Sequence, residues 1–167
     1  MALMDPVIRE MEVEARTTRR VLERVPADKF DWKPHTKSMS LAELAMHVAT
    51  IPSFWAEWLA TEFIDRANFK FQQPVPKVTA DIVAEHEKSQ AAINKFLAGI
   101  DEKQAAHVWR FVRDGKDLLA LPRGVAVRSL MCNHLYHHRG QLTVYRRLLD
   151  VPVPMIYGPS ADENPFR

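Results

Sequence analysis

The chain has 167 residues, 47% apolar and 26% charged, with a net charge of +2, totals that suit one globular domain with a full core. Its basic and acidic residues are interspersed, which argues against a nucleic-acid footprint, and the lone cysteine, Cys132, excludes an internal disulfide and fits a reducing compartment. No stretch reaches the length of a membrane span and no signal peptide is evident at the N-terminus, so the expectation is a cytoplasmic protein with no membrane contact.

A first helix is predicted after Asp5-Pro6, where proline at the first helical position suits a start. Ile8, Met11, Ala15, Leu22 and Val25, with Thr18 among them, recur at three- and four-residue spacing, and Pro26 ends the pattern. Asp31-Trp32-Lys33-Pro34 begins a connector. Ser40 and Glu43 then form a capping-box signature for a second helix, with Leu44, Ile51, Phe54, Trp55, Trp58 and Phe63 on its apolar face. Pro52 lies inside that pattern and predicts a kink or local break.

Residues 69–78, with Pro74 and Pro76, read as a linker. A third helix is expected from about Thr79 to Leu97, with Ile82, Val83, Ile93, Phe96 and Leu97 toward the core. Between 105 and 121, Asp114-Gly115 separates apolar runs and predicts a short hairpin or ordered loop. A fourth helix starts at or just after Pro122 and lasts to about Asp150. Val127, Leu130, Met131, Leu142, Tyr145, Leu148 and Leu149 mark its buried stripe. The C-terminal segment, with four prolines and Gly158, is expected to wrap over the helices without regular structure. The fold class expected is an all-α four-helix bundle forming a single domain over residues 1–167.

His134 and His138 stand four residues apart in the fourth helix, one turn plus about 40°, so both imidazoles project from one face. Two imidazoles in a core stripe need partners for their ring nitrogens, and a metal ion is one such partner. A site of the catalytic type wants three protein ligands and an open position. His47, one turn after Glu43 and one turn before Ile51, is the third candidate. Buried histidines bound to ordinary hydrogen-bond partners are the competing reading.

Other residues have narrower claims. Gln141 lies about 20° from His134 on the helical wheel and is a candidate to orient a ligand histidine. Glu43 is a candidate second-layer carboxylate or general base, although its capping role already accounts for it. His137 lies about 60° from His134, at the stripe's edge, as a candidate substrate or supporting contact, with a solvent-facing role as the alternative. His86 is a spare ligand or a core histidine. Arg139 points away from the pair, toward the surface or the C-terminal segment, and Cys132 reads as a buried thiol on another face. Trp55, Trp58 and Trp109 read as core, with one walling an apolar substrate pocket as the alternative.

Ser40-Leu-Ala-Glu-Leu-Ala-Met-His47, His134-x-x-x-His138-Arg-Gly-Gln-Leu142, Val153-Pro154 and Tyr157-Gly-Pro-Ser160 together resemble the DinB family of the DinB/YfiT-like superfamily, over nearly the whole chain. The resemblance implies an up-down-down-up bundle, commonly dimeric, holding a divalent metal, often zinc or nickel. Carried over by position, its ligands are His47, His134 and His138. It also implies either hydrolysis or S-transfer with a low-molecular-weight thiol as co-substrate, acting on a small molecule. Such a thiol carries carboxylates, for which Arg113, Lys116, Arg123 and Arg128 are candidate partners. The alternative is a non-catalytic stress-response bundle that stores or senses a metal or ligand, for which His86 as a fourth ligand would speak.

Overall fold

The computed structural model describes residues 4–70 and 72–167. Four long helical segments dominate: α1 (Asp5–Leu22), α2 (Leu41–Leu59), α3 (Thr79–Ala98) and the final α6 (Asn133–Leu148). Met11, Val21 and Leu22 of α1 are fully buried, as are Leu41, Leu44 and Ile51 of α2, Ile82 and Ile93 of α3, and Leu135 and Leu142 of α6. These positions follow the 3.6-residue period, so each helix turns an apolar stripe to one common core. α2 is central: it packs along α3 on one side and α6 on the other, and α1 lies against α3 and α6.

The start of α2 follows the expected chemistry. Ser40 Oγ accepts from Glu43 N, and the Glu43 carboxylate accepts from Ser40 N at 2.6 Å. Two amides that a helix start leaves unpaired are thereby satisfied. Pro52 does not interrupt α2. It has no N–H to contribute, and the next amide, Ser53 N, donates instead to Ser89 Oγ of α3 at 2.8 Å. This hydrogen bond ties α2 to α3 next to the proline.

The expectation of an all-α chain is corrected by a three-stranded sheet, β1 (Phe63–Asp65), β2 (Val108–Arg113) and β3 (Lys116–Pro122), in the order β1-β2-β3. The hairpin expected at Asp114-Gly115 is β2-β3, paired antiparallel, with Arg113 opposite Lys116 across the two-residue turn. Asp114 and Gly115 both have positive φ, 51° and 74°, as a tight turn matched to strand twist requires. β1 pairs parallel to β2, with Phe63 opposite Arg110. Phe63, expected on the apolar face of α2, is therefore a strand residue and is exposed. Three residues of strand give too short a periodicity to be told from a helix end.

The fourth helix is also not uniform. Between the short helices α4 (Glu102–Ala106) and α5 (Arg123–Ala126) lies the hairpin, and α5 leads into a π-helical stretch, Val127–Cys132, before α6. Each π turn holds more residues than an α turn, so it resets the phase of the stripe. Val127 and Met131 within this stretch and Leu142 after it are buried, whereas Leu148 lies about 120° from Leu142 on the helical wheel and is exposed.

No helix or strand follows α6. The tail returns over α1 and α6: Pro154 is buried, Arg20 donates to Met155 O, and Asp162 and Glu163 pair with Arg147 and with Arg20 and Arg24. Among the described residues no helix is long and apolar enough to cross a membrane.

Candidate metal centre

His47 stands in the second turn of α2, and His134 and His138 in the first two turns of α6. The packing of α2 on α6 brings the three together. His47 Nε2 and His134 Nε2 are 3.0 Å apart, and one ligand atom from each of the three residues lies within 4.8 Å of the others. His47 is 8% exposed, and the other two are half-buried. The rings meet edge to face, with centroids 5.1 Å apart for His47 and His134, 4.5 Å for His47 and His138, and 4.4 Å for His134 and His138.

Two nitrogens bound to one ion at about 2.0–2.1 Å, with ligand angles of 90–109°, stand about 2.9–3.4 Å apart. The His47–His134 separation falls in that range. The electrostatics agree with the geometry. Burial, reinforced by His138 and His134, lowers the pKa of His47 to about 3, and burial with His138 and His137 nearby lowers that of His134 to about 4. Burial also lowers His138, against the opposing effect of its hydrogen bond to Gln141. At neutral pH the three imidazoles are uncharged, which is the form that coordinates a metal. The donor set therefore fits a metal ion.

Gln141, one turn further along α6, has its Oε1 2.8 Å from His138 Nδ1. With Nδ1–H donating there, the lone pair of His138 lies on Nε2. His137 is exposed; its ring touches that of His138 at 4.9 Å between centroids, and it is not among the three clustered ligand groups. Glu43 is held by Ser40 N and by Lys33 at 3.3 Å, and these contacts, the first above all, keep its carboxyl below the usual range.

The remaining candidates lie elsewhere. His86 is buried on α3 with Nε2 3.1 Å from Ala15 O of α1, outside the cluster. Cys132 is buried against Met11, 3.8 Å between sulfurs, and burial pushes its thiol up to about 11. Arg139 takes the second of its two expected places, meeting Tyr157 of the tail at 2.5 Å, and is buried rather than at the surface, 1% exposed and bound to Glu14 Oε2 at 2.6 Å. Of the basic residues considered for an anionic co-substrate, Arg123 is buried on backbone carbonyls and Arg128 is paired with Glu10. Lys33 and Lys37, which the spacing gave no reason to select, line a cavity of about 450 Å³ that includes Glu43, one helical turn from His47. Trp55, Trp58 and Trp109 form a contiguous aromatic group, with Trp109 Nε1 donating to Trp58 O.

A sequence model of the DinB family matches residues 4–165. The chain belongs to the DinB family. This DinB-family chain is 25% identical over 162 residues to the uncharacterized protein YrdA of Bacillus subtilis (strain 168), covering 96% of the chain and 91% of that protein. Among solved structures it is similar to a DinB-like protein of Bacillus cereus ATCC 10987, at a TM-score of 0.70 and 21% identity over 89% of this chain and 94% of that one. A second, YjoA of Bacillus subtilis, aligns at a TM-score of 0.69 and 18% identity, covering 97% of this chain and all (100%) of that one. A member from Exiguobacterium sibiricum 255-15 aligns at 0.63 and 21% identity over 93% and 97%. At these identities the structural likeness establishes the fold, and the chemistry has to be argued from the residues.

Proposed function

We propose that this DinB-family protein is a metalloenzyme whose His47, His134 and His138 hold one divalent ion, zinc or nickel, for hydrolysis or thiol-dependent S-transfer on a small molecule. The observation that carries the reading is the convergence of three neutral imidazoles within 4.8 Å from two helices. Bound there, a divalent cation supplies Lewis acidity that activates a water or a small thiol at neutral pH. His138 is oriented for the ion by Gln141, and the half-buried placement of His134 and His138 leaves the site reachable from one side.

One observation favours an enzyme over a metal store. Among the described residues the cluster holds three ligands and His86 does not join it, so a coordination position stays open. The one cysteine is buried and held in its thiol form, so any reacting thiol comes from a co-substrate. Lys33 and Lys37, next to Glu43, are suitably placed for the carboxylates of such a co-substrate. The packing of α1, α2, α3 and α6 on one another supports a four-helix bundle; its up-down-down-up order and a cytoplasmic homodimer are proposed from the family resemblance alone.

Elemental analysis of the purified protein beside His47→Ala tests the reading. About one equivalent of a divalent metal is expected in the wild type and little in the variant. Metal-dependent turnover of activated esters without thiol would select hydrolysis, and turnover of electrophiles only with thiol would select transfer. Absence of bound metal from the wild type, together with unchanged zinc and nickel affinity in His47→Ala, would overturn it.

A further inference from the structure

A cavity of about 970 Å³ opens between the C-terminal ends of α2 and α3, away from the three histidines. From His47 to Ala56, where its lining begins on α2, is nine residues, or about 13–14 Å at the helical rise. Its apolar wall is made by Ala56, Leu59 and Ala60 of α2 and by Ala92, Phe96 and Ile100 in and after α3. The space exists because three of these side chains end at Cβ. The volume is that of a small-molecule pocket.

The polar part of the lining is specific. Arg123 is 7% exposed and is fixed by donating from Nη1 to Gln104 O at 3.1 Å and from Nη2 to Thr61 O at 3.2 Å. Its Nε has no hydrogen-bond partner. The single carboxylate paired with this buried cation among the described residues is Glu62, with Oε1 3.7 Å from Nη2. The other oxygen, Oε2, lies 2.5 Å from His107 Nε2. Glu62 itself is a surface side chain, 67% exposed. A buried guanidinium whose charge partner is an exposed carboxylate 3.7 Å away is weakly neutralised, a costly arrangement that a closer anion would relieve.

We propose that this cavity is a second ligand site, for a small amphipathic carboxylate, independent of the metal centre. The carboxylate takes the place that Glu62 occupies between His107 and Arg123, with Glu62 swinging to solvent. The hydrocarbon part lies on Ala56, Ala60, Ala92 and Phe96. Lys95 and Lys103 line the same cavity, as do the carboxylates of Glu57 and Asp101, so the site for the anion is the His107–Arg123 end and not the lining as a whole. Alcohols of the same length lack the charge, and amines carry the wrong one.

Calorimetric titration with octanoate, octan-1-ol and octylamine tests this on the full chain. Saturable binding of octanoate alone is expected, weakened on the order of tenfold or more in Ala92→Phe and in Ala60→Leu, which fill the cavity. Glu62→Gln removes the competing carboxylate and is expected to tighten binding. His47→Ala is expected to leave octanoate binding unchanged, so failure of the metal reading would not mimic failure here. Thermal unfolding of each variant verifies folding, and the two cavity-filling changes stand in for one another. The proposal is overturned if octanoate does not saturate the wild type, if octylamine binds as well, or if folded cavity-filling variants bind normally. It is also overturned if sedimentation shows that those variants dissociate a dimer, because a second copy then occupies the cavity.

Discussion

The side-chain oxygen of Gln141 meets Nδ1 of His138 at 2.8 Å, three residues along the same helix. That contact fixes which nitrogen of His138 keeps its lone pair, and Gln141 is itself exposed, so its contribution to the core is small. Replacing Gln141 by Leu is expected to weaken zinc or nickel binding about 10- to 100-fold while leaving thermal stability nearly unchanged. Gln141→Glu keeps an acceptor and is expected to stay close to wild type. Competition against a chromophoric chelator measures both, and equal affinity in wild type and Gln141→Leu would remove the orienting role.

Arg139 follows His138 in sequence but faces the other way, into a buried group with Glu14 and Thr18 that the exposed Tyr157 covers. Arg139 and Glu14 have side-chain exposures of 1% and 9%, so neither charge can turn to water when the other is removed. Arg139→Met is expected to cost about 3–5 kcal/mol in urea unfolding, because Glu14 is left charged and buried. The double change Arg139→Met with Glu14→Leu is expected to recover most of that loss. If the double variant is as unstable as the sum of the singles, the pair is not coupled.

Much of this was legible in the sequence, for identifiable reasons. Positions such as Leu44, Ile82 and Leu142 repeat at helical spacing, and the Ser40–Glu43 box and Asp114-Gly115 turn are short-range chemistry that tertiary packing had no reason to override. The clustering of His47 with His134 and His138 followed from helical faces, because a stripe fixes which side chains meet across α2 and α6. What was not legible depended on contacts distant in sequence or on a change of period. β1 is defined by pairing with β2, some 45 residues away, and the π-helical stretch at Val127–Cys132 changes the helical period without a local signal. Of the two places expected for Arg139, the C-terminal segment is met through Tyr157 and the surface is not, because Glu14, 125 residues away, makes its burial tolerable.

The C-terminal tail is held by carboxylates whose protonation releases it. Asp162 is kept below its ordinary 3.8, first by Arg147 and then by Val153 N, and Glu163 below its ordinary 4.5, first by Met155 N and then by Arg24. A carboxyl group with a depressed folded pKa contributes stability that is full above its unfolded value and is lost as pH falls through the folded one. Hydrogen exchange of residues 151–167 is therefore expected to be slow and nearly constant from neutral pH down to about pH 5, after correction for intrinsic rates, and to accelerate in stronger acid. Asp162→Asn with Glu163→Gln is expected to remove that pH dependence and leave the tail weakly protected throughout. A tail whose protection is unaltered in the double variant would show that Tyr157 and Pro154 hold it without the ion pairs.

Gly115 sits at φ 74° in the two-residue turn between β2 and β3, and a Cβ there would meet nothing within 4 Å. Space is therefore not the obstacle to a side chain; backbone conformation is. An L-residue in the left-handed region costs about 1–2 kcal/mol, and the neighbouring Asp114, at φ 51°, already bears that conformation. Gly115→Ala is expected to lower stability by about 1 kcal/mol, and Gly115→Asn by less, because Asn tolerates this region better. Gly115→Val, branched at Cβ, is expected to be the worst of the three. The order Gly, Asn, Ala, Val in thermal unfolding midpoint checks the argument. Equal midpoints for Gly115→Ala and wild type would mean that the turn relaxes to another type without cost. Metal content is expected to be the same in all four proteins, since the hairpin contributes none of the three histidines.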